Sequence, residues 1–353
     1  MRILFVGNGN IKHKGARYYD PGRKLHNGLL RNGHNVFWMS DRDIARSRSP
    51  LGIKALGLKH ANEYFLSACK NFLPQLIIFY HADIISPESL AEARKILPAT
   101  KIAQFNVDPI FRDHNMEMIR AKLPVVDATF ITTAGPALKR FNNPHGFVSF
   151  VPNAIDVSME WPRCHERSDQ PNDVFWALRA TNGKTVTDRR ITIPLFLEQS
   201  GKVKIDYWGM NGKPELYKAD YYEKIAGSKM GLNISVNRTW DHTPIAEPEE
   251  LYLYSSDRIS HYMGSGLLTF NTRENALHEM FAEDKEIVFF DTQEELLDKI
   301  IYYKNNDDAR RKVAGAGWEK SHTYLNEKLV AQYIVESTCG QKLSSYIWPT
   351  DRY

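Results

Sequence analysis

At 353 residues the chain is too long for one ordinary hydrophobic core and long enough for two domains. With 25% charged and 42% hydrophobic residues it reads as a soluble globular protein, and its net charge of +4 suits an anionic small ligand or loose contact with an anionic membrane surface while falling short of a nucleic-acid footprint. No run of 18 apolar residues occurs, and the opening "MRILFVGNGN" turns polar after six residues, which speaks against a membrane span or secretory signal and for a cytoplasmic protein, at most peripheral at the inner membrane face.

The chain opens on an apolar strand, "RILFVG", followed by an amphipathic helix, "PGRKLHNGLLRNG", that closes on Gly33, and by a second strand, "HNVFWMS". The rhythm continues through "QLIIFYHA", "SPESLAEARKIL", "KIAQFNVD", "DATFITT" and "FVSFVPN". Short apolar runs separated by helices predict a parallel sheet covered on both faces. The stretch "EWPRCHERSDQPND" has two prolines and no periodicity, and reads as a linker. A second alternating series then runs "DVFWALR", "TIPLFLEQSG", "KVKIDYWG", "YYEKIAGSK", "MGLNIS", "SDRISHYMGSG", "LLTFN", "EIVFFD" and "TQEELLDKIIYYKNN". The expected architecture is α/β, with two doubly wound, Rossmann-like domains facing a cleft. Residues 1–155 form the first domain, 156–172 the linker, 173–335 the second domain, and 336–353 a tail returning to the first, where Tyr346, Trp348 and Tyr353 find partners.

Ligands bind such sheets beyond the carboxyl ends of the strands, so the loops there are where function is sought. In "VGNGNIKHKG", Gly7 and Gly9 permit close backbone approach, and His13 and Lys14 bring polar groups to the same loop. The dinucleotide fingerprint GxGxxG fails at its third glycine, where Lys12 stands, and a plain tight turn is the other reading. In "FNVDPIF", Asp108 leaves an apolar strand directly before Pro109. It is either a general base tuned by burial or a cap for the next turn. In "SSDRISHYMGSGLLTF", Ser255, Ser256 and Asp257 are N-cap residues for a helix that breaks at Gly264 and Gly266. Arg258 in its first turn is a residue the helix dipole would not choose, so it serves either an anion or an acidic neighbour.

Residues 231–336, with "GLNIS", "SDRISHYMGSGLLTF" and "LHEMFAEDKEIVFFDTQEELLDKIIYYKNN", resemble the carboxyl-terminal half of group 1 glycosyltransferases of the GT-B fold, and are most similar to the spore maturation protein B-like branch. The order Arg258, Gly266, Glu279, Phe281, Lys285, Glu286, Glu294, Glu295, Leu296 follows that family's pattern, and "VPNAID" resembles its hinge. The resemblance implies that Ser256, Asp257 and Arg258 bind the diphosphate and ribose of a nucleotide-sugar donor. His261 stands where the family carries a glutamate, and Glu279 matches a family carboxylate. The family also sets a positive pair after the first strand of its second domain to neutralise the leaving diphosphate. Arg179 and Lys184 are the candidates here, with Arg190 in reserve.

The implied activity is metal-independent transfer of a sugar to a glycan, lipid-linked or protein hydroxyl, in surface glycan, lipopolysaccharide or protein glycosylation. The nucleotide-sugar is a substrate and no cofactor is expected. For an inverting reaction Asp108 is the expected base, with His13 and Asp83 behind it; whether the reaction inverts or retains configuration is open. A DxD metal motif at Asp41–Asp43 comes too early for the other large glycosyltransferase fold. His13, His26 and His34 lack metal-ligand spacing, and Cys69, Cys164 and Cys339 are odd in number and scattered, which disfavours disulfides and thiolate zinc. The competing readings are a non-catalytic nucleotide- or sugar-binding protein and, behind it, an NAD-dependent enzyme.

Overall fold

In the computed structural model, which describes residues 1–179, 188–235 and 248–353, the chain forms two units, Met1–Ala154 with Asn326–Tyr353, and Ile155–Leu325. The first unit runs β1 (Arg2–Gly7), α1 (Pro21–Arg31), β2 (Asn35–Met39), α2 (Asp41–Ser47), α3 (Leu58–Phe72), β3 (Leu76–Tyr80), α4 (Pro87–Ile96), β4 (Lys101–Asn106), α5 (Asp113–Arg120), β5 (Ala128–Ile131) and β6 (Phe147–Phe150). Its strands pair in parallel in the order β2-β1-β3-β4-β5-β6. Every residue of β3 is buried, as expected for a strand with helices on both faces. Local signals set the helix starts: the Asp20 carboxylate accepts from the Gly22 N–H with Pro21 at the first helical position of α1, and Ser86 with Pro87 does the same for α4.

The second unit runs β7 (Asn172–Ala177), α6 (Arg189–Gln199), β8 (Ile205–Trp208), α7 (Ala219–Ala226), β9 (Ser228–Asn233), α8 (Arg258–Gly264), β10 (Leu268–Thr272), β11 (Val288–Phe290), α9 (Gln293–Asn305) and α10 (Asp307–Tyr324). Its strands are also parallel, in the order β11-β10-β9-β7-β8. Each unit has its own apolar core, the first built around Phe65, Phe79 and Ile102, the second around Trp176, Leu232 and Phe270. In each sheet the winding reverses once, between β1 and β3 in the first and between β7 and β9 in the second. Those two points are where a doubly wound sheet offers a crevice.

Two boundaries differ from expectation. The stretch 156–172 is packed within the second unit: the Cys164 N–H donates to the Ser265 carbonyl at 2.7 Å, and the His165 ring lies where a Cβ on Gly266 would come within 2.4 Å of it. The return to the first unit begins at Asn326, ten residues earlier than the sequence suggests, because α11 (Glu327–Thr338) packs against α1. A Cβ on Gly28 would stand 2.0 Å from the Glu327 carbonyl, so the helices meet where α1 has no side chain. The tail then pairs with β6. Val148 and Tyr353 exchange both backbone hydrogen bonds at 2.9 Å, and Trp348 is buried against Tyr333 and Tyr346.

Candidate functional site

In the second unit the sequence from Tyr254 to Arg258 lies against the carboxyl ends of β7, β9 and β10. Arg258 donates from Nε to the Ala177 carbonyl at 3.1 Å and from Nη1 to the Ile234 carbonyl at 3.3 Å, so its guanidinium spans the ends of the two strands at the switch point. Its carbon centre sits 4.4 Å above the Trp176 ring, and Nη1 also reaches Ser256 Oγ at 3.2 Å. Among the described residues Nη2 makes no hydrogen bond, which leaves one edge of a fixed cation uncommitted. The acidic neighbour that would be its alternative partner is not present among the described residues: no ion pair forms between Arg258 and any acid.

A buried amide ladder holds this loop. Asn233 at the end of β9 donates to Ser255 Oγ at 2.9 Å and to Asn271 Oδ1 at 2.7 Å. Asn271 donates to Asn275 Oδ1 at 2.8 Å, and Asn275 to the Tyr254 carbonyl at 3.0 Å. The amides satisfy one another in a low-dielectric setting, where such bonds are stiff and specific. "GLNIS" and "LLTFN" read as strands in the sequence, and their asparagines, Asn233 and Asn271, give no separate signal.

The helix start departs from expectation. Asp257 occupies the N-cap position in helical conformation without a side-chain capping bond, and α8 is only seven residues long, so it is Arg258 that supplies the positive charge here. His261, expected at the donor, is 2% exposed because α8 is buried from Ile259 to Gly264. Its Nδ1 lies 2.8 Å from both Glu160 Oε1 and Tyr222 OH, and its Nε2 lies 3.9 Å from Asp257. A buried carboxylate requires such partners, and Glu160 also accepts the Asp156 N–H.

The other inferred donor residues are dispersed. Glu279 is exposed, accepts from Tyr252 OH at 2.6 Å and has no hydrogen bond or ion pair to Arg258. Arg179 is exposed two residues after β7, at the switch point's edge, and Lys184 falls outside the described residues. Arg190 is held by Asp188, which takes Nη2 at 2.6 Å and also caps α6, and Arg189 pairs with Glu274. Of the three expected cations, Arg190 is therefore neutralised locally.

In the first unit the glycine loop follows the tight-turn reading. The Gly9 N–H donates to Ser40 Oγ at 2.8 Å, and a Cβ there would meet that oxygen at 2.9 Å. Asp43 fastens the loop by accepting from the Ile11 N–H at 3.0 Å and from Ser40 Oγ at 2.6 Å, while Asp41 is fully buried with neither carboxylate oxygen hydrogen-bonded. The two acids of the DxD thus serve separate ends. His13 is half-buried, its pKa lowered by burial and by Arg17 and Lys12. Asp83 is engaged by Arg42 at 2.8 Å and Lys54 at 3.3 Å; burial opposes its charge, but these cations hold its pKa below the usual range.

Asp108 is not the turn cap. The Asn106 side chain has that role, accepting the Asp108 N–H at 2.8 Å, which leaves the Asp108 carboxylate half-exposed beyond β4. Facing it is a residue the sequence does not single out, His81 at the end of β3, whose Nε2 lies 3.9 Å from Asp108 Oδ2. Its nearest signal is the apolar run of "QLIIFYHA", which it directly follows.

Residues 188–335 match a family model described as glycosyl transferase-like. A search of curated proteins found no match. Among solved structures the chain is similar to sucrose-phosphate synthase from Thermosynechococcus elongatus, at 9% identity over 95% of this chain and 98% of that one, with a TM-score of 0.58. It is likewise similar to Anabaena HepE in complex with UDP and glucose (11% identity, 96% and 100% covered, TM-score 0.60) and to OtsA, a trehalose-6-phosphate synthase (10%, 97% and 100%, 0.57). At such identities the likeness is one of fold. The protein has the two-sheet α/β architecture of the GT-B glycosyltransferases, and the glycosyl transferase-like match begins in its second unit and runs into the segment that returns to the first. No helix among the described residues is long and apolar enough to cross a membrane.

Proposed function

We propose that this protein is a glycosyltransferase that moves a sugar from a nucleotide-sugar donor to a hydroxyl acceptor, within the spore maturation protein B-like branch of the group 1 enzymes. The observation that carries this is Arg258, a cation braced across the ends of β7 and β9 at the switch point with one guanidinium edge uncommitted. A diphosphate leaving group develops charge as the glycosidic bond to it breaks, and a preorganised guanidinium stabilises that charge without moving. Arg179 at the end of β7 is a second cation within the same loop set. HepE was solved with UDP-glucose and with UDP and glucose, which favours a UDP-sugar as the first donor to try. The donor is consumed as substrate, with no further cofactor, and the acceptor is a glycan, lipid-linked or protein hydroxyl in the cytoplasm or at the inner face of the membrane.

The test is incubation with UDP-, GDP-, dTDP- and CMP-sugars and measurement of released nucleotide, together with calorimetry of UDP on wild type and Arg258→Ala. Loss of the arginine should weaken UDP binding by roughly 1.5–3 kcal/mol, the worth of a charge-assisted contact. Equal affinities in two folded proteins would remove Arg258 from the site. The pairing of Arg190 with Asp188 and of Arg189 with Glu274 favours a second reading, a protein that binds the nucleotide without turning it over. Binding in calorimetry with no nucleotide release from any donor would select it.

A further inference from the structure

The turn that follows β3 places two successive left-handed residues at the rim of the first sheet. His81 and Ala82 both adopt left-handed backbone, with φ of 55° and 46°, and the Ala82 N–H closes the turn on the Tyr80 carbonyl at 2.6 Å. Two successive non-glycine residues in that region cost free energy, and such strain is kept where it aims a side chain. Here it sets the His81 ring beside the end of β4. The ring is 14% exposed; its Nδ1 is buried without a hydrogen-bond partner, and its Nε2 is directed to Asp108, itself 50% exposed. This is the carboxyl rim of the sheet, next to the reversal between β1 and β3.

We propose that His81 and Asp108 form the acceptor-activating pair of this protein, His81 Nε2 taking the proton of the acceptor hydroxyl while Asp108 steadies the imidazolium that results. This rests on the glycosyl-transfer reading and adds the acceptor half of it. The 3.9 Å between Nε2 and Oδ2 is too long for a direct hydrogen bond, so Nε2 can take the proton of an acceptor hydroxyl while the carboxylate stays close enough to act on the charge of the ring. In the step, the acceptor oxygen forms its bond to the anomeric carbon, the bond from that carbon to the diphosphate oxygen breaks, and the nucleotide leaves with the electron pair. The hydroxyl proton goes to Nε2, and its new charge faces the Asp108 carboxylate. Attack assisted by such a base inverts the anomeric centre.

The surroundings keep the ring neutral and able to accept. Burial lowers the His81 pKa below its ordinary 6.5. Asp108 at the end of β4 and Asp83 in the same turn oppose that, while Arg42 from α2 and Lys122 following α5 reinforce it. The neutral base is therefore present at pH 7 and is lost as pH falls through a value under 6.5.

Three measurements test the pair. Asn tolerates left-handed backbone well, so His81→Asn should keep the fold, as a melting curve would verify. With a donor that wild type turns over, His81→Asn and Asp108→Asn should each bind nucleotide as tightly as wild type in calorimetry. His81→Asn should lower kcat roughly 10²-fold or more and remove the acid limb of the pH–rate profile. In spectra of histidine-labelled protein, the resonance that His81→Asn abolishes should titrate at lower pH in Asp108→Asn than in wild type, because an attractive charge has gone. An active His81→Asn enzyme with an unchanged pH profile overturns the base role, and an unmoved titration overturns the pairing. Absence of release from UDP-, GDP-, dTDP- and CMP-sugars by wild type would instead remove the glycosyl-transfer reading and the base role with it.

Discussion

Asp41 shows what a single buried charge does to this fold. It opens α2 with both carboxylate oxygens buried and unbonded, and burial pushes its pKa up to about 6 from 3.8. A carboxyl group with a raised folded-state pKa favours the protonated native state, so its contribution is full below about 3.8 and is lost as pH rises through 6. Asp41→Asn should therefore gain stability over wild type as pH increases, by up to about 3 kcal/mol at pH 8 given ~1.4 kcal/mol for each tenfold change in proton affinity, and almost nothing at pH 3. Urea unfolding at the two pH values would show this, and a difference that does not change with pH would refute it. At this scale the sequence indicates residue types in strand-end loops but not their orientation. Asp108 can be singled out because an acid leaving an apolar run is conspicuous, and Arg258 because a cation in the first turn of a helix opposes the dipole. His81 cannot, since its place beside Asp108 depends on a left-handed turn and a neighbour 27 positions away, and the sequence of a helix start does not reveal that His261 faces Glu160.

Elements are legible where local chemistry defines them. The strands and the starts of α1 and α4 follow from apolar runs and from Asp-Pro and Ser-Pro pairs, and the two sheets follow from the alternation. Partnerships between distant elements are not legible. Gly28 looks like an ordinary weak point in α1 until Glu327 is found 2.0 Å from where its Cβ would be. Gly28→Ala must push α11 off α1, and a forced overpacking of this kind should cost about 1–3 kcal/mol, read as a lower denaturant midpoint. Between β9 and β10 the asparagine ladder makes a second element-scale case. Asn271→Ala leaves the Asn233 amide and the Asn275 carbonyl oxygen each short of a partner, at roughly 1–3 kcal/mol apiece. Nucleotide affinity should fall with stability, since Asn233 and Asn275, which anchor Ser255 and Tyr254 beside Arg258, lose their own support; unchanged affinity would mean that the loop does not need the ladder.

For the whole molecule, the informative fact is that the chain leaves its first unit at Ala154 and re-enters it at Asn326, so that one unit is completed only by the last 28 residues of the protein. The tail supplies Trp348, 3% exposed in a cluster with Tyr333 and Tyr346, and a strand-like pairing of Tyr353 with Val148 on β6. Those contacts belong to the first unit alone, whereas Arg258 and the amide ladder belong to the second. Two units with separate cores need not unfold as one, and each should report its own perturbation. Truncation after Gly340 removes a buried tryptophan, a loss of about 3–5 kcal/mol, and should lower the transition of the first unit. Saturating UDP should raise that of the second by RT ln(1 + [L]/Kd). Calorimetric scans of wild type, the truncation and the UDP complex would separate the two effects. If truncation and UDP shift one common transition, the units unfold cooperatively; if UDP raises only the transition that truncation lowers, the nucleotide lies on the first sheet and the assignment of Arg258 to the donor fails.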